Sequence, residues 1–174
     1  MRICGFRRTA IPALMAMLLM LGSGAMVGVS NQKPLEPIKW SIKATLPDKS
    51  LKPGERFAVQ LTAKIEEGWH LYSTEQPEGG PTAMRVYLPS EQPFEQAGTI
   101  DSSEPTVVMD PNFNLMTQYY EGQATFTIPV KVAASAASGK SEVKINVSFQ
   151  TCSDELCLPP KTVKLAVEVY LAAR

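Results

Sequence analysis

Near its C-terminal end the chain alternates apolar and polar residues, breaks off, and resumes. Val143, Ile145, Val147 and Phe149 lead into the break, and Val163, Leu165, Val167, Val169 and Leu171 follow it. A period of two is the mark of a half-buried strand, so the segment predicts two strands joined at one end. The joint, Gln150 to Thr162, holds Cys152 and Cys157. Both cysteines are therefore expected in the connection, near solvent. A thiol pair that a partner can reach can exchange electrons, whereas a pair sunk in a core is usually inert.

The same period recurs upstream. Ile38, Trp40, Ile42 and Ala44 form one alternating run, and Phe57, Val59, Leu61, Ala63 and Ile65 a second. Met84, Val86 and Leu88 form a short third, and Ala124, Phe126, Ile128, Val130 and Val132 a fourth. Pro47-Asp48 and Pro53-Gly54 read as turns between them. Pro129 within the fourth run predicts an edge or bulge position, because proline donates nothing to a ladder. Trp69 to Tyr72 reads as the entry to a Pro- and Gly-rich loop, and the stretch from Ser90 to Gln118 as loops with one or two short strands. No window sustains a helical period. The expectation is an all-β chain of about seven or more strands, arranged as a β-sandwich.

Residues 1–30 read as a leader. Arg2, Arg7 and Arg8 precede an apolar run from Ile11 to Leu21, and small residues follow at Ser23, Gly24, Ala25, Gly28 and Ser30. That order is the order of a secretory signal peptide. A retained membrane anchor is the alternative, since Ile11 to Val29 is long enough to span a bilayer. Export matters because disulfides persist outside the cytosol. Cys4 departs with a cleaved leader, which leaves Cys152 and Cys157 as the only cysteines of residues 31–174. This part is expected to be a single domain. It holds fourteen Lys and Arg against seventeen Asp and Glu, with no basic stripe, so nucleic acid is not an expected partner.

Spacing alone leaves two roles open for the cysteines. As a staple, a loop of about six residues removes roughly 2 kcal/mol of unfolded-state entropy, which a domain of this size does not need in order to fold. As a redox pair, the thiols lie beside Asp154 and Glu155, which disfavour a thiolate. Such a pair suits attack by a more reactive partner thiolate, or exchange that waits for a docked partner. Pro159-Pro160 stiffens the exit from the loop.

The run from Phe149 to Thr162, an aromatic-Gln-x-Cys stretch followed by Cys-x-Pro-Pro, resembles the active-site hairpin of the N-terminal periplasmic domain of the membrane thiol:disulfide interchange protein (DsbD) family. Tyr120-Glu121-Gly122 with Phe126 to Val130, and Gly68-Trp69-His70-Leu71-Tyr72, are similar to stretches upstream of that hairpin. The resemblance implies an immunoglobulin-like β-sandwich in the periplasm, with Cys152 and Cys157 as the catalytic dithiol of a protein-disulfide reductase. A membrane electron-donor protein and thioredoxin-like periplasmic oxidoreductases are the implied partners. It further implies that Phe113, within Asp110-Pro111-Asn112-Phe113-Asn114, caps the cysteines, and that Tyr72 forms a wall beside them. The rival reading is a non-enzymatic extracytoplasmic binding module whose hairpin disulfide only shapes a recognition loop.

Other chemistries lack residues. His70 is the only histidine, so neither a blue-copper nor a zinc ligand set can be assembled, and no metal or other cofactor is expected. No nucleophile-elbow or phosphate-loop motif is present. His70 is expected as a packed or surface residue.

Overall fold

The computed structural model describes residues 34–173; the leader expected over residues 1–30, with Cys4, lies outside the described residues. Twelve strands follow in order: β1 (Ile38–Thr45), β2 (Arg56–Ile65), β3 (Trp69–Tyr72), β4 (Arg85–Tyr87), β5 (Phe94–Gln96), β6 (Asp101–Ser102), β7 (Thr106–Asp110), β8 (Leu115–Tyr120), β9 (Gln123–Val132), β10 (Gly139–Phe149), β11 (Thr151–Ser153) and β12 (Lys161–Leu171). All named ladders are antiparallel. The chain is all-β, antiparallel sheets packed on one core, with no helix among the described residues.

One sheet has the order β1-β2-β9-β5, with β6 also on β9; a second has the order β12-β10-β4; a third, β11-β3-β8-β7, carries the cysteine segment. The alternation explains the core. Val59, Leu61, Ala63, Phe126, Ile128 and Val130 point inward from the first sheet and are fully buried, as are Val143, Ile145 and Val147 of the second. Burying each of the Val, Leu, Ile and Phe side chains among them contributes about 1.5–3 kcal/mol. Trp40 spans the layers, its ring 6.1 Å from Phe126 and 5.4 Å from Phe149. Phe149 ends β10 opposite Lys161, whose ammonium lies 5.7 Å from the ring centroid and 3.3 Å from Glu36. The base of the cysteine loop is thereby fixed to the core.

Two expectations need correction. Pro129 is not on an edge strand: β9 lies inside its sheet, with Pro129 in register opposite Ala58, and it falls at an interruption where neither β5 nor β6 pairs with β9. The ladder tolerates it because β5 ends at Gln96 and β6 begins only at Asp101, so no continuous strand needs a donor there. Ala97 donates to the Pro129 carbonyl at 2.8 Å, and the Ala97 carbonyl accepts from Arg56 instead of from a proline N–H. Gly98 completes the fit, since a Cβ there would lie 3.2 Å from the proline ring.

The stretch 90–118 contains more strand than expected: β5, β6, β7 and most of β8. Its pattern is inverted. In β7 the apolar Val107 and Met109 are 58% and 55% exposed, while Asp110 is fully buried, so apolar periodicity points to the wrong face. Trp69 to Tyr72 likewise forms a strand rather than a loop entry.

Candidate functional site: a disulfide beside a buried His-Tyr-Asp chain

β10 and β12 pair up to Phe149 and Lys161, after which the chain leaves that sheet. Thr151 and Cys152 are both buried, which breaks the alternation and marks the change of sheet. β11 then pairs with β3, setting Thr151 opposite Leu71, Cys152 opposite His70 and Ser153 opposite Trp69. The Thr151 hydroxyl donates to the His70 carbonyl at 2.6 Å.

A small hairpin closes the segment. The Leu158 N–H donates to the Thr151 carbonyl at 3.0 Å, and the Ser153 N–H to the Leu156 carbonyl at 2.8 Å. The Ser153 hydroxyl oxygen accepts from the backbone of Glu155 and Leu156, holding the turn. Cys152 and Cys157 thus face each other across an antiparallel bridge with their Cα atoms 4.1 Å apart, and they are joined as a disulfide. The expectation that both cysteines lie near solvent holds for only one of them. Cys152 is fully buried against β3, while Cys157, on the outer arm, is half-buried.

The two faces of the third sheet divide the labour. Leu71 and Tyr120 point into the core. His70 and Tyr72, one residue out of phase, point to the other face, which they share with Cys152 and Tyr119 because opposed residues in an antiparallel ladder project to the same side. Here a buried polar chain forms. Nε2 of His70 lies 3.1 Å from the Tyr72 oxygen, and the Tyr72 hydroxyl donates to Oδ2 of Asp110 at 2.6 Å. Asp110 is fully buried and also accepts from the Thr117 hydroxyl at 3.2 Å and from the Asn112 N–H at 2.8 Å. His70 stacks on Tyr119 with ring centroids 4.4 Å apart.

These contacts set the charges. Burial pushes the Asp110 carboxyl upward, but the hydrogen bonds from Tyr72, Asn112 and Thr117 outweigh it, and the group stays below the usual carboxylate range. Burial and then the Asp110 carboxylate push the Tyr72 phenol well above its ordinary value. Burial holds His70 below the ordinary imidazole value, against the opposing pull of Asp110, Asp154 and Glu121. At neutral pH the chain is an ionised Asp110, a neutral Tyr72 and a neutral His70.

The segment from Asp110 to Asn114 is the turn between β7 and β8. The Asn114 N–H donates to the Asp110 carbonyl at 2.7 Å, and Asn114 takes the left-handed conformation, φ 54°, that asparagine tolerates better than most residues. The Asn112 side chain donates to the Ser153 carbonyl at 3.1 Å, tying this turn to the cysteine hairpin. The half-buried Phe113 stands edge-on to Tyr72, ring centroids 5.8 Å apart. The structure thus brings Cys152 and Cys157 into one bond and Phe113 and Tyr72 into one ring pair, joined through His70 and Asn112. Sequence reasoning missed His70, Asp110 and Asn112 as parts of this assembly. The one-residue phase shift of His70 and Tyr72 against Leu71 was the available signal. The clefts lined by Pro89, Lys144 and Lys164 and by Met84, Tyr87 and Ile100 include neither cysteine nor histidine. No metal-binding cluster of His, Cys, Asp and Glu occurs among the described residues.

The family model described as thiol:disulfide interchange protein DsbD, N-terminal, matches residues 43–168, a span that includes all of the groups above. The solved Neisseria meningitidis DsbD N-terminal domain in its reduced form is similar at 17% identity and a TM-score of 0.47, covering 65% of this chain and 78% of its own. The N-terminal periplasmic domain of ScsB from Proteus mirabilis is similar at 15% identity and a TM-score of 0.48; 79% of this chain aligns with 47% of that one. No curated protein sequence matches the chain.

Proposed function

Because the chain belongs to the family of the N-terminal domain of the thiol:disulfide interchange protein DsbD, a family of thiol-disulfide exchange, we propose that it relays electrons through Cys152 and Cys157 between a membrane donor and thioredoxin-like oxidoreductases of the periplasm. The observation that carries this reading is the disulfide itself, seated within the matched span with one sulfur-bearing residue buried and the other half-exposed. In this reading residues 1–30 direct export, residues 31–174 form the exchange domain, Phe113 is the cap and Tyr72 the wall.

The asymmetry supports an order. A partner thiolate attacks Sγ of Cys157, the more accessible side; the Cys152–Cys157 bond breaks and its electron pair leaves on Cys152. A second partner thiol then attacks its own sulfur in the mixed disulfide and releases Cys157. The domain ends as a dithiol and the partner as a disulfide. Reversal of the steps passes the two electrons onward.

Trapping tests the relay. Cys152→Ser keeps the accessible Cys157 and should accumulate mixed disulfides with oxidoreductases in a periplasmic extract, whereas Cys157→Ser, left with the buried Cys152, should trap far less. Absence of any trapped oxidoreductase in both variants would end this reading. The complete burial of Cys152 favours one second reading, a binding module in which the bond is a staple. The reduction potential separates the two: a staple lies below about −300 mV and a relay above it.

A further inference from the structure

We propose that His70 is the proton acceptor for Cys152 when the disulfide closes and the proton donor to Cys152 when it opens, with Tyr72 and Asp110 fixing its tautomer. This rests on the relay reading of the same cysteines. It begins from register. His70 and Cys152 are directly opposed on β3 and β11 with side chains on one face, which sets their Cβ atoms about 4.5–5.5 Å apart.

The hydrogen-bond chain then fixes the proton. Tyr72 has a single hydroxyl proton, and it goes to Asp110 at 2.6 Å. At the 3.1 Å contact the Tyr72 oxygen must therefore accept, so Nε2 of His70 carries the hydrogen. Nδ1 is left as a lone pair, and among the described residues it has no hydrogen-bond partner. A largely buried imidazole whose free nitrogen is still reached by solvent, opposite the buried Cys152 in register and with a carboxylate behind it to stabilise the imidazolium, is equipped to move one proton.

The step balances. With a partner bonded to Cys157, the Cys152 thiol gives its proton to Nδ1; the Cys152 thiolate attacks Sγ of Cys157, the new S–S bond forms, and the partner leaves as a thiolate. The imidazolium returns its proton to that thiolate or to water. Run backward, the same imidazolium protonates Cys152 as it is expelled, so that no thiolate is stranded in a fully buried position. The charged and titratable groups facing His70 are Asp110 from β7, Tyr119 and Glu121 from β8 and its end, Asp154 from the cysteine turn, and Tyr72 on its own strand. The charged ones among them are acidic and favour the imidazolium; burial opposes it and keeps the base form available at neutral pH.

The test needs no partner protein. The full chain is reduced and mixed with the disulfide of 5-thio-2-nitrobenzoate. The first thionitrobenzoate released reports attack by Cys157, and the second reports closure by Cys152. Wild-type closure should slow as pH falls through an inflection below the ordinary imidazole value. His70→Gln, which can still donate to Tyr72, should close roughly 10²-fold more slowly at neutral pH and lose the inflection. His70→Gln with unchanged rate and inflection would overturn the proposal. A readout free of any variant exists because His70 is the only histidine. Nitrogen NMR should show the hydrogen on Nε2 in the reduced chain, and a hydrogen on Nδ1 at neutral pH would equally overturn it. Neither result depends on whether an oxidoreductase is trapped, so this proposal and the relay reading fail separately.

Discussion

The Tyr72 hydroxyl and the Asp110 carboxylate, 38 residues apart in sequence, form a buried hydrogen bond of 2.6 Å that ties β3 to the end of β7. It joins the strand facing Cys152 to the turn bearing Phe113, and so couples the shape of the site to the charge of one carboxylate.

Tyr72→Phe should cost about 1.5–3 kcal/mol at neutral pH, the range for a hydrogen bond to an ionised group. The pH dependence follows from Asp110. Its folded pKa is depressed, so its contribution is present above the unfolded value of about 4 and is lost as pH falls through the folded value. The difference between wild type and Tyr72→Phe in urea unfolding should therefore be largest at neutral pH and shrink in acid. A difference that stays constant with pH would detach Asp110 from this account.

Phe113→Ala should speed reduction of the Cys152–Cys157 bond by dithiothreitol several-fold, while costing only about 1–2 kcal/mol of stability because the ring is half-buried. Asn112→Ala, which removes the donor to the Ser153 carbonyl, should act in the same direction by freeing the turn. Equal reduction rates in all three proteins would make Phe113 an ordinary loop anchor.

The sandwich was legible because its strands bury one face. The runs in β2, β9 and β10 alternate as half-buried strands must, and their inward residues are those the period selects. The cysteine pair was legible from its motif, and Phe113 and Tyr72 were singled out by position, though not their contact with each other. The chemistry between them was not, because the third sheet buries polar residues on its outer face: His70, Tyr72, Asp110 and Thr117 are linked in one hydrogen-bonded chain, a relation that hydrophobic period cannot express. Pro129 misled for a related reason. Its missing donor is accommodated by a gap between two short strands that lie far from it in sequence.

Phe149→Ala tests the anchoring of the loop to the core. The ring is almost fully buried against Trp40, and its removal should cost about 3–5 kcal/mol. It also supports Lys161 at the base of the cysteine loop, so the surviving folded protein should exchange backbone amide hydrogens faster from Thr151 to Leu158 than wild type does. Unchanged protection in that segment would mean that the pairing of β11 with β3 holds the loop without help from the core.

Asp154 and Glu155 lie exposed on the turn between the two cysteines, and Asp154 is close enough to act on His70 and Tyr119. Negative charge there disfavours a thiolate on either sulfur, so the reduced chain should react sluggishly with small disulfides until a docked protein aligns the sulfurs. Asp154→Asn with Glu155→Gln should raise the rate of first attack on a small neutral disulfide several-fold at neutral pH. Because the two carboxylates are exposed, the gain should fade as salt shortens the screening length from about 10 Å at 0.1 M to about 3 Å at 1 M. The same pair of substitutions withdraws part of the acidic field on His70, so the imidazole inflection should move further down. A double variant that reacts no faster at low salt, with an unmoved inflection, would show that the turn carboxylates do not restrain the site, and partner docking would then need another justification.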